Sequence, residues 1–288
     1  MKTLLRIASV TMAISVAVSC IYHFDDQDIS APGSVSVTFI AEVPGTDTRA
    51  YLDGTRSYWE NGDKITIHNG SKGFDFVTSI PSEGNVSEAE FTYSGSDYAS
   101  AESVIAVYPA GVVREADIEA KAVKAYIPAD QKATPGSYDR NAALAVALTD
   151  NERLVFQNAV ALVRFTVSTD NVEGVIFKGN DNEAVAGDVL VSMTEDNTIA
   201  DVIPQKAMVN GASAAYCTEV GLYAEEGETL KVEETYYIAV APGKFTQGFS
   251  IELVIDGERR KVKNLDVEYT VKPNKILNFG EFEYWSWD

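Results

Sequence analysis

Histidine and cysteine are almost missing from this chain, with two of each in 288 residues. Cys20 ends an N-terminal apolar stretch, which leaves Cys217 alone and excludes a disulfide framework. No Cys/His cluster has metal-ligand spacing, no Gly-rich phosphate loop is present, and no Ser/His/Asp set is identifiable. His23 lies in an acidic segment and His68 ends a short alternating run, the setting of a strand residue rather than a base. Bases are scarce too: 23 Lys and Arg face 43 Asp and Glu, a formal charge of −20. Such a surface repels phosphate backbones and anionic headgroups, so nucleic acid is not an expected partner. What remains is a globular composition, 45% hydrophobic and 23% charged, too apolar for a disordered chain. Its length suits about two domains. The expectation is a non-catalytic protein without cofactor or metal.

Residues 1–19 carry the marks of an export signal. Lys2 and Arg6 precede an apolar run from Ile7 to Val18, and small residues lead to Cys20. A run of this length is shorter than the roughly 20 residues that span a bilayer as a helix. Ala17-Val18-Ser19-Cys20 resembles a lipobox, with Ala17 where Leu is usual, and implies acylation of Cys20 and an anchor in outer-membrane lipid. Removing residues 1–19 leaves 43 acids against 21 bases, a net −22. Residues 20–32 are acidic and aperiodic, and read as a solvated tether. A lone Cys217 beside Ala214, Ala215 and Tyr216 reads as a small apolar core residue.

From Gly33 onward the dominant period is two. Val35, Val37, Phe39, Ala41 and Val43 alternate with Ser36, Thr38, Ile40 and Glu42, which predicts a first strand with one buried face. Ile65/Ile67, Phe74/Phe76, Phe91/Tyr93, Ala161/Val163/Phe165/Val167 and Phe249/Ile251/Leu253/Ile255 repeat the pattern between turn-forming residues. Val104 to Tyr108 is apolar on both faces and reads as a central strand. Asp256-Gly257 predicts a hairpin turn. Two stretches, Glu115 to Ala125 and Asn141 to Leu148, are expected as short helices. Ile105-Ala106-Val107-Tyr108-Pro109 is echoed by Ile238-Ala239-Val240-Ala241-Pro242, which suggests a duplication. The expectation is all-β: two tandem β-sandwich domains, residues 33–153 and 154–288.

Five segments, in order along the chain, resemble the fimbrillin family, the pilin-like lipoproteins of Bacteroidales. They are Val35–Phe39 with Thr48-Arg49-Ala50, then Tyr58-Trp59-Glu60-Asn61-Gly62-Asp63-Lys64-Ile65, then Ala106-Val107-Tyr108-Pro109. Leu154 to Leu162 and Tyr236 to Gly243 complete the set. The resemblance implies two transthyretin-like (Greek-key) sandwiches in a structural or adhesive subunit of cell-surface fimbriae. It further implies proteolytic maturation between Arg49 and Ala50, loss of the strand carrying Val35, Val37, Phe39, Ala41 and Val43, and filling of the vacated groove by a strand of another fimbrial subunit. Against this stands a plain reading in which Arg49 is a solvated turn residue and the first strand is permanent. The aromatic terminus Asn278 to Asp288 reads as a donor strand or a docking plug; the plainer alternative makes Lys275 to Phe282 the last strand of the second domain. Shaft, tip and accessory roles, and any host or bacterial receptor, stay open.

The alternative function is a carbohydrate-binding surface lipoprotein, with Trp59, Trp285 and Trp287 as exposed stacking platforms. In its Trp-x-x-Gly-Asp setting, Trp59 reads rather as a packing residue. Asp181-Asn182-Glu183 and Asp196-Asn197 lack calcium-loop spacing and read as turns. Arg259-Arg260-Lys261, the one basic cluster, reads as a balance for surrounding acid.

Overall fold

The computed structural model describes residues 35–43, 58–80, 86–206, 208–209, 212–213 and 216–284. Among these the chain is all-β, its strands broken only by a 3-10 turn at Arg140–Ala142. Strands β1 (Val35–Glu42), β2 (Lys64–His68), β3 (Gly73–Thr78), β4 (Glu88–Gly95) and β5 (Val104–Tyr108) come first. Then β6 (Val113–Asp117), β7 (Ala122–Ile127) and β8 (Asp130–Lys132) lead to β9 (Ala145–Thr149), β10 (Arg153–Val155) and β11 (Gln157–Asn158). The later half holds β12 (Ala161–Val167), β13 (Val172–Gly179), β14 (Gly187–Met193), β15 (Ile199–Pro204) and the small pair β16 (Met208–Val209) and β17 (Ala212–Ser213). It closes with β18 (Glu219–Tyr223), β19 (Thr235–Val240), β20 (Gly243–Phe245), β21 (Phe249–Ile255), β22 (Glu258–Leu265), β23 (Tyr269–Val271) and β24 (Ile276–Phe282).

The first sheet runs β10-β1-β4-β3-β2-β5-β9-β11. Its two end strands flank a single residue, Phe156, so one short segment closes both ends of the sheet and neither end is left as a long edge. The alternation read from sequence sets which side chains fill the interior: Phe39, Ala41, Ile65, Ile67, Phe74, Phe76 and Phe91 are buried there with Trp59, Leu154 and Phe156.

The stretch expected as a helix from Glu115 to Ala125 is the β6–β7 hairpin, and Asn141 to Leu148 runs from the 3-10 turn into β9. Both stretches are Ala-rich, which favours a helix locally, yet Val123, Ala125, Ala145 and Ala147 are buried at strand spacing. Tertiary burial overrides propensity there. The β6–β7 hairpin extends the β14–β15 pair, and β8 lies parallel to β18, so residues 113–132 pair with strands of the later half. The expected division at 153/154 falls inside β10, a strand of the first sheet.

β5 earns its double-faced apolarity. Val104, Ala106 and Tyr108 face the first core while Ile105 and Val107 join a second core built on β7, β12, β13, β14, β19 and β21. β9 is split the same way, with Ala145 and Ala147 in one core and Val146 in the other. The echoed segments become β5, which ends directly before Pro109, and β19, which ends at Val240, two positions before Pro242; proline cannot donate into a continuing ladder. A second likeness links the halves: β1 runs parallel to β10, and β12 parallel to β24.

Candidate functional site

The site is the seam that β1 fills. β1 pairs antiparallel with β4 over its whole length, from Val35 opposite Gly95 to Glu42 opposite Glu88. On its other side it meets β10 only over Ile40, Ala41 and Glu42, opposite Arg153, Leu154 and Val155. Ile40 N–H donates to Glu152 C=O at 2.8 Å, and Phe156 N–H reaches Glu42 C=O at 3.4 Å. Among the described residues, then, β1 has neighbours on both sides at one end and on one side elsewhere. Phe39 and Ala41 are buried; Val37 and Val43 are partly so. Burying a side chain of the size of Phe39 is worth about 1.5–3 kcal/mol.

Trp59 is the floor of the seam. It is 1% exposed, and its Nε1–H donates to Ala41 C=O at 2.8 Å. Its ring meets Phe91, Tyr108 and Phe156 edge to face, with centroids 4.9, 5.1 and 5.7 Å away. A ring enclosed in this way offers no face to a sugar, which removes Trp59 from the carbohydrate reading.

The rest of the Trp-x-x-Gly-Asp motif has a local purpose. Gly62 sits at φ +83°, where a side chain would be strained, and allows the turn into β2. Asp63 accepts Glu60 N–H at 2.8 Å and the Arg140 guanidinium at 2.5 Å. Arg140 also donates to Tyr108 Oη at 3.1 Å and to Tyr58 C=O at 3.2 Å, and pairs with Glu60 at 2.6 Å. Burial pushes the Asp63 carboxyl above its ordinary range, with Arg140 pulling against it, and burial likewise raises the Tyr108 phenol. Sequence reasoning missed Arg140, which lies 77 positions from Asp63 and carries no motif of its own.

Two further residues hold the seam's far wall. Arg153 Nε donates to Glu42 Oε1 at 2.6 Å, and the same guanidinium pairs with Glu88 on β4. Asn197, in the turn between β14 and β15 at φ +55°, accepts Leu148 N–H at 2.6 Å and donates to Val155 C=O at 2.7 Å. The Asp196-Asn197 turn expected from sequence is therefore a pin between the later half and the segment that closes the first sheet. Beside it lies an open polar cleft of about 1010 Å³, whose lining includes Glu102, Glu119, Asp150 and Asp196 with the Lys121–Glu195 ion pair at 2.7 Å.

Other sequence expectations fall elsewhere. Asp181 and Glu183 form a turn that holds the Thr246 hydroxyl, and Glu183 also accepts Thr246 N–H at 2.7 Å. Among the described residues no group of three or more His, Cys, Asp or Glu side chains is placed to hold a metal ion. Arg259 pairs with Glu219 at 2.8 Å and Arg260 with Glu258, after an Asp256-Gly257 turn with φ +51° and +72°. Cys217 is half-buried, which pushes its thiol up, and His68 is half-buried at the end of β2, which pushes its imidazolium down. The Lys275 to Phe282 segment is largely β24, paired in the same chain with β12. Cys20, Arg49, Ala50, Trp285 and Trp287 lie outside the described residues.

No family model and no curated protein matches the chain. Among solved structures it is similar to a candidate cell adhesion protein of Bacteroides uniformis, at 16% identity and TM-score 0.44, covering 85% of this chain and 93% of that one. A candidate cell adhesion protein of Bacteroides ovatus gives 12% identity and TM-score 0.45, covering 79% and 84%. The tip fimbrial protein Mfa3 of Porphyromonas gingivalis gives 9% identity and TM-score 0.36, covering 85% and 94%.

Proposed function

We propose that this chain is a structural or adhesive subunit of cell-surface fimbriae, exported as a lipoprotein through Cys20 and joined to other subunits by strand exchange at the β1 seam. One observation carries the reading. The first of the described strands, β1, closes an otherwise complete sheet, paired in full on the β4 side and over three residues on the β10 side. Its departure would break one long ladder and one short one, leave β2, β3, β4, β5 and β9 paired to one another, and expose a slot lined by Trp59, Phe76 and Phe91. Unpaired backbone groups beside an apolar slot are a template for an incoming strand. The two-sandwich, transthyretin-like division and an outer-membrane or fimbrial location belong to the same proposal.

Limited trypsin digestion of the mature protein, followed by mass and oligomer analysis, tests it. Cleavage after Arg49 with release of the β1 peptide and formation of multimers is the expected result. A chain that is cut after Arg49 yet keeps β1 and stays monomeric would overturn strand exchange.

A further inference from the structure

The seam reads the strand that lies in it at three successive points. Trp59 is walled in by Phe91, Tyr108 and Phe156, so its indole N–H is aimed at one place, the carbonyl of Ala41. Ala41 is fully buried over that ring, and a larger side chain there would have to displace packed aromatics. Two residues earlier, Phe39 is buried edge to face on Phe76, with centroids 5.5 Å apart. One residue later, Glu42 turns to the outer face and meets Arg153, which also holds Glu88 of β4 and so ties the two walls of the seam through the strand between them.

Slipping an occupant by one residue would turn its apolar face outward. Slipping it by two would put a large side chain at the Ala41 position and move the carboxylate away from Arg153.

We infer, on the premise of strand exchange, that the seam selects a strand with an aromatic residue, any residue, a small residue and an acidic residue at the places of Phe39, Ile40, Ala41 and Glu42, and that this strand comes from a different polypeptide rather than from β24 of a second copy. In 288 residues an aromatic followed two positions later by Gly, Ala or Ser and three positions later by Asp or Glu occurs once, at Phe39-Ile40-Ala41-Glu42 itself. The C-terminal strand does not fit. Placing its small-acidic pair Gly280-Glu281 on Ala41 and Glu42 brings Asn278 to the Phe39 site and turns Phe279 outward. That strand is also already paired with β12. The partner is therefore a subunit whose exposed or terminal segment carries the aromatic–any–small–acidic pattern.

The test uses the full mature chain with a specific protease site placed between residues 44 and 57, nicked and then offered labelled peptides. A peptide of residues 34–44 is expected to be retained. The same peptide with Ala41→Leu or Glu42→Lys is expected to bind at least about tenfold more weakly. A peptide of residues 274–288 is expected not to compete. Arg153→Glu in the protein is expected to recover the Glu42→Lys peptide and weaken the original. Equal retention of all these peptides, or retention of the C-terminal one as tightly as the original, overturns the inference while strand exchange stands. If even the original peptide is not retained, strand exchange falls. The seam's demands are then decided in the intact chain: A41L and E42K must lower Tm, and R153E must restore the second but not the first. Failure of that pattern overturns the inference.

Discussion

The opening strands of the two halves, β1 and β12, look alike in sequence and differ in confinement. Both alternate apolar and polar residues, and both run parallel to a later strand. β12 lies mid-sheet, with β19 antiparallel on one side from Ala161 to Thr166 and β24 parallel on the other from Leu162 to Val167. β1 has its second neighbour only over Ile40, Ala41 and Glu42. A strand leaves a sheet only when both of its ladders open together, so β12 is tied to unfolding of the whole and β1 is not. Period and hydrophobicity make a strand; neighbours decide whether it can be exchanged.

The largest effect expected from breaking this comparison comes from the aromatics. Phe165→Ala on β12 removes a ring stacked on Tyr236 and Phe282, and is expected to cost about 3–5 kcal/mol of global stability in denaturant melts. Phe39→Ala on β1 removes a ring of equal size. Its loss is expected to appear as local opening, read as faster amide exchange confined to β1, with a smaller change in the global midpoint. If the two variants unfold alike by both readouts, the contrast is wrong.

Next is the seam's own bond. Trp59→Phe keeps an aromatic ring in the packing and deletes the indole N–H that donates to Ala41 C=O. Loss of that one hydrogen bond costs about 0.5–1.5 kcal/mol, since Ala41 also pairs with Ala89 in the β1–β4 ladder, and the loss should again fall on β1 amides.

Arg140→Ala sharpens the pH side. It leaves Asp63 half-buried without its cation, in a site where burial already raises the carboxyl. A carboxyl whose folded pKa lies above its unfolded one favours folding as pH falls, because the folded state then holds the proton more tightly. The deficit of R140A relative to wild type is therefore expected at neutral pH and should shrink on acidification through the carboxylate range. A deficit that grows on acidification would contradict the assignment.

The smallest effect is expected at Glu219, remote from the seam. Lys178 and Arg259 hold its carboxyl below the ordinary value. Its contribution is present above about pH 4.5 and is lost as pH falls through its lowered folded pKa. Glu219→Gln should lower Tm slightly at neutral pH and match wild type in strong acid, with no change in β1 exchange at any pH.

Much of this architecture was legible in residue patterns. The two-residue period located β1, β12 and β21, Asp256-Gly257 marked its hairpin, and the double-faced run Val104–Tyr108 marked a strand set between two cores. Helical expectations failed at Glu115–Ala125 and Asn141–Leu148 because alanine is helix-favouring in isolation, and only long-range pairing with β14 and β5 makes those segments strands. The packing of Trp59 followed from its motif. The pins at Arg140, Arg153 and Asn197 did not, because each acts on backbone or carboxylate groups 42 or more positions away, and nothing in the local sequence points to that partner.

Native-state amide exchange of the intact mature chain measures the central claim most directly. The Val37 and Phe39 amides of β1, which face β4, are expected to exchange through an opening well below the global unfolding free energy, while the β12 amides from Leu162 to Phe165 exchange only with global unfolding. Protection of β1 equal to that of β12 would mean that the first strand is as permanent as any other, and would contradict the removable-strand account.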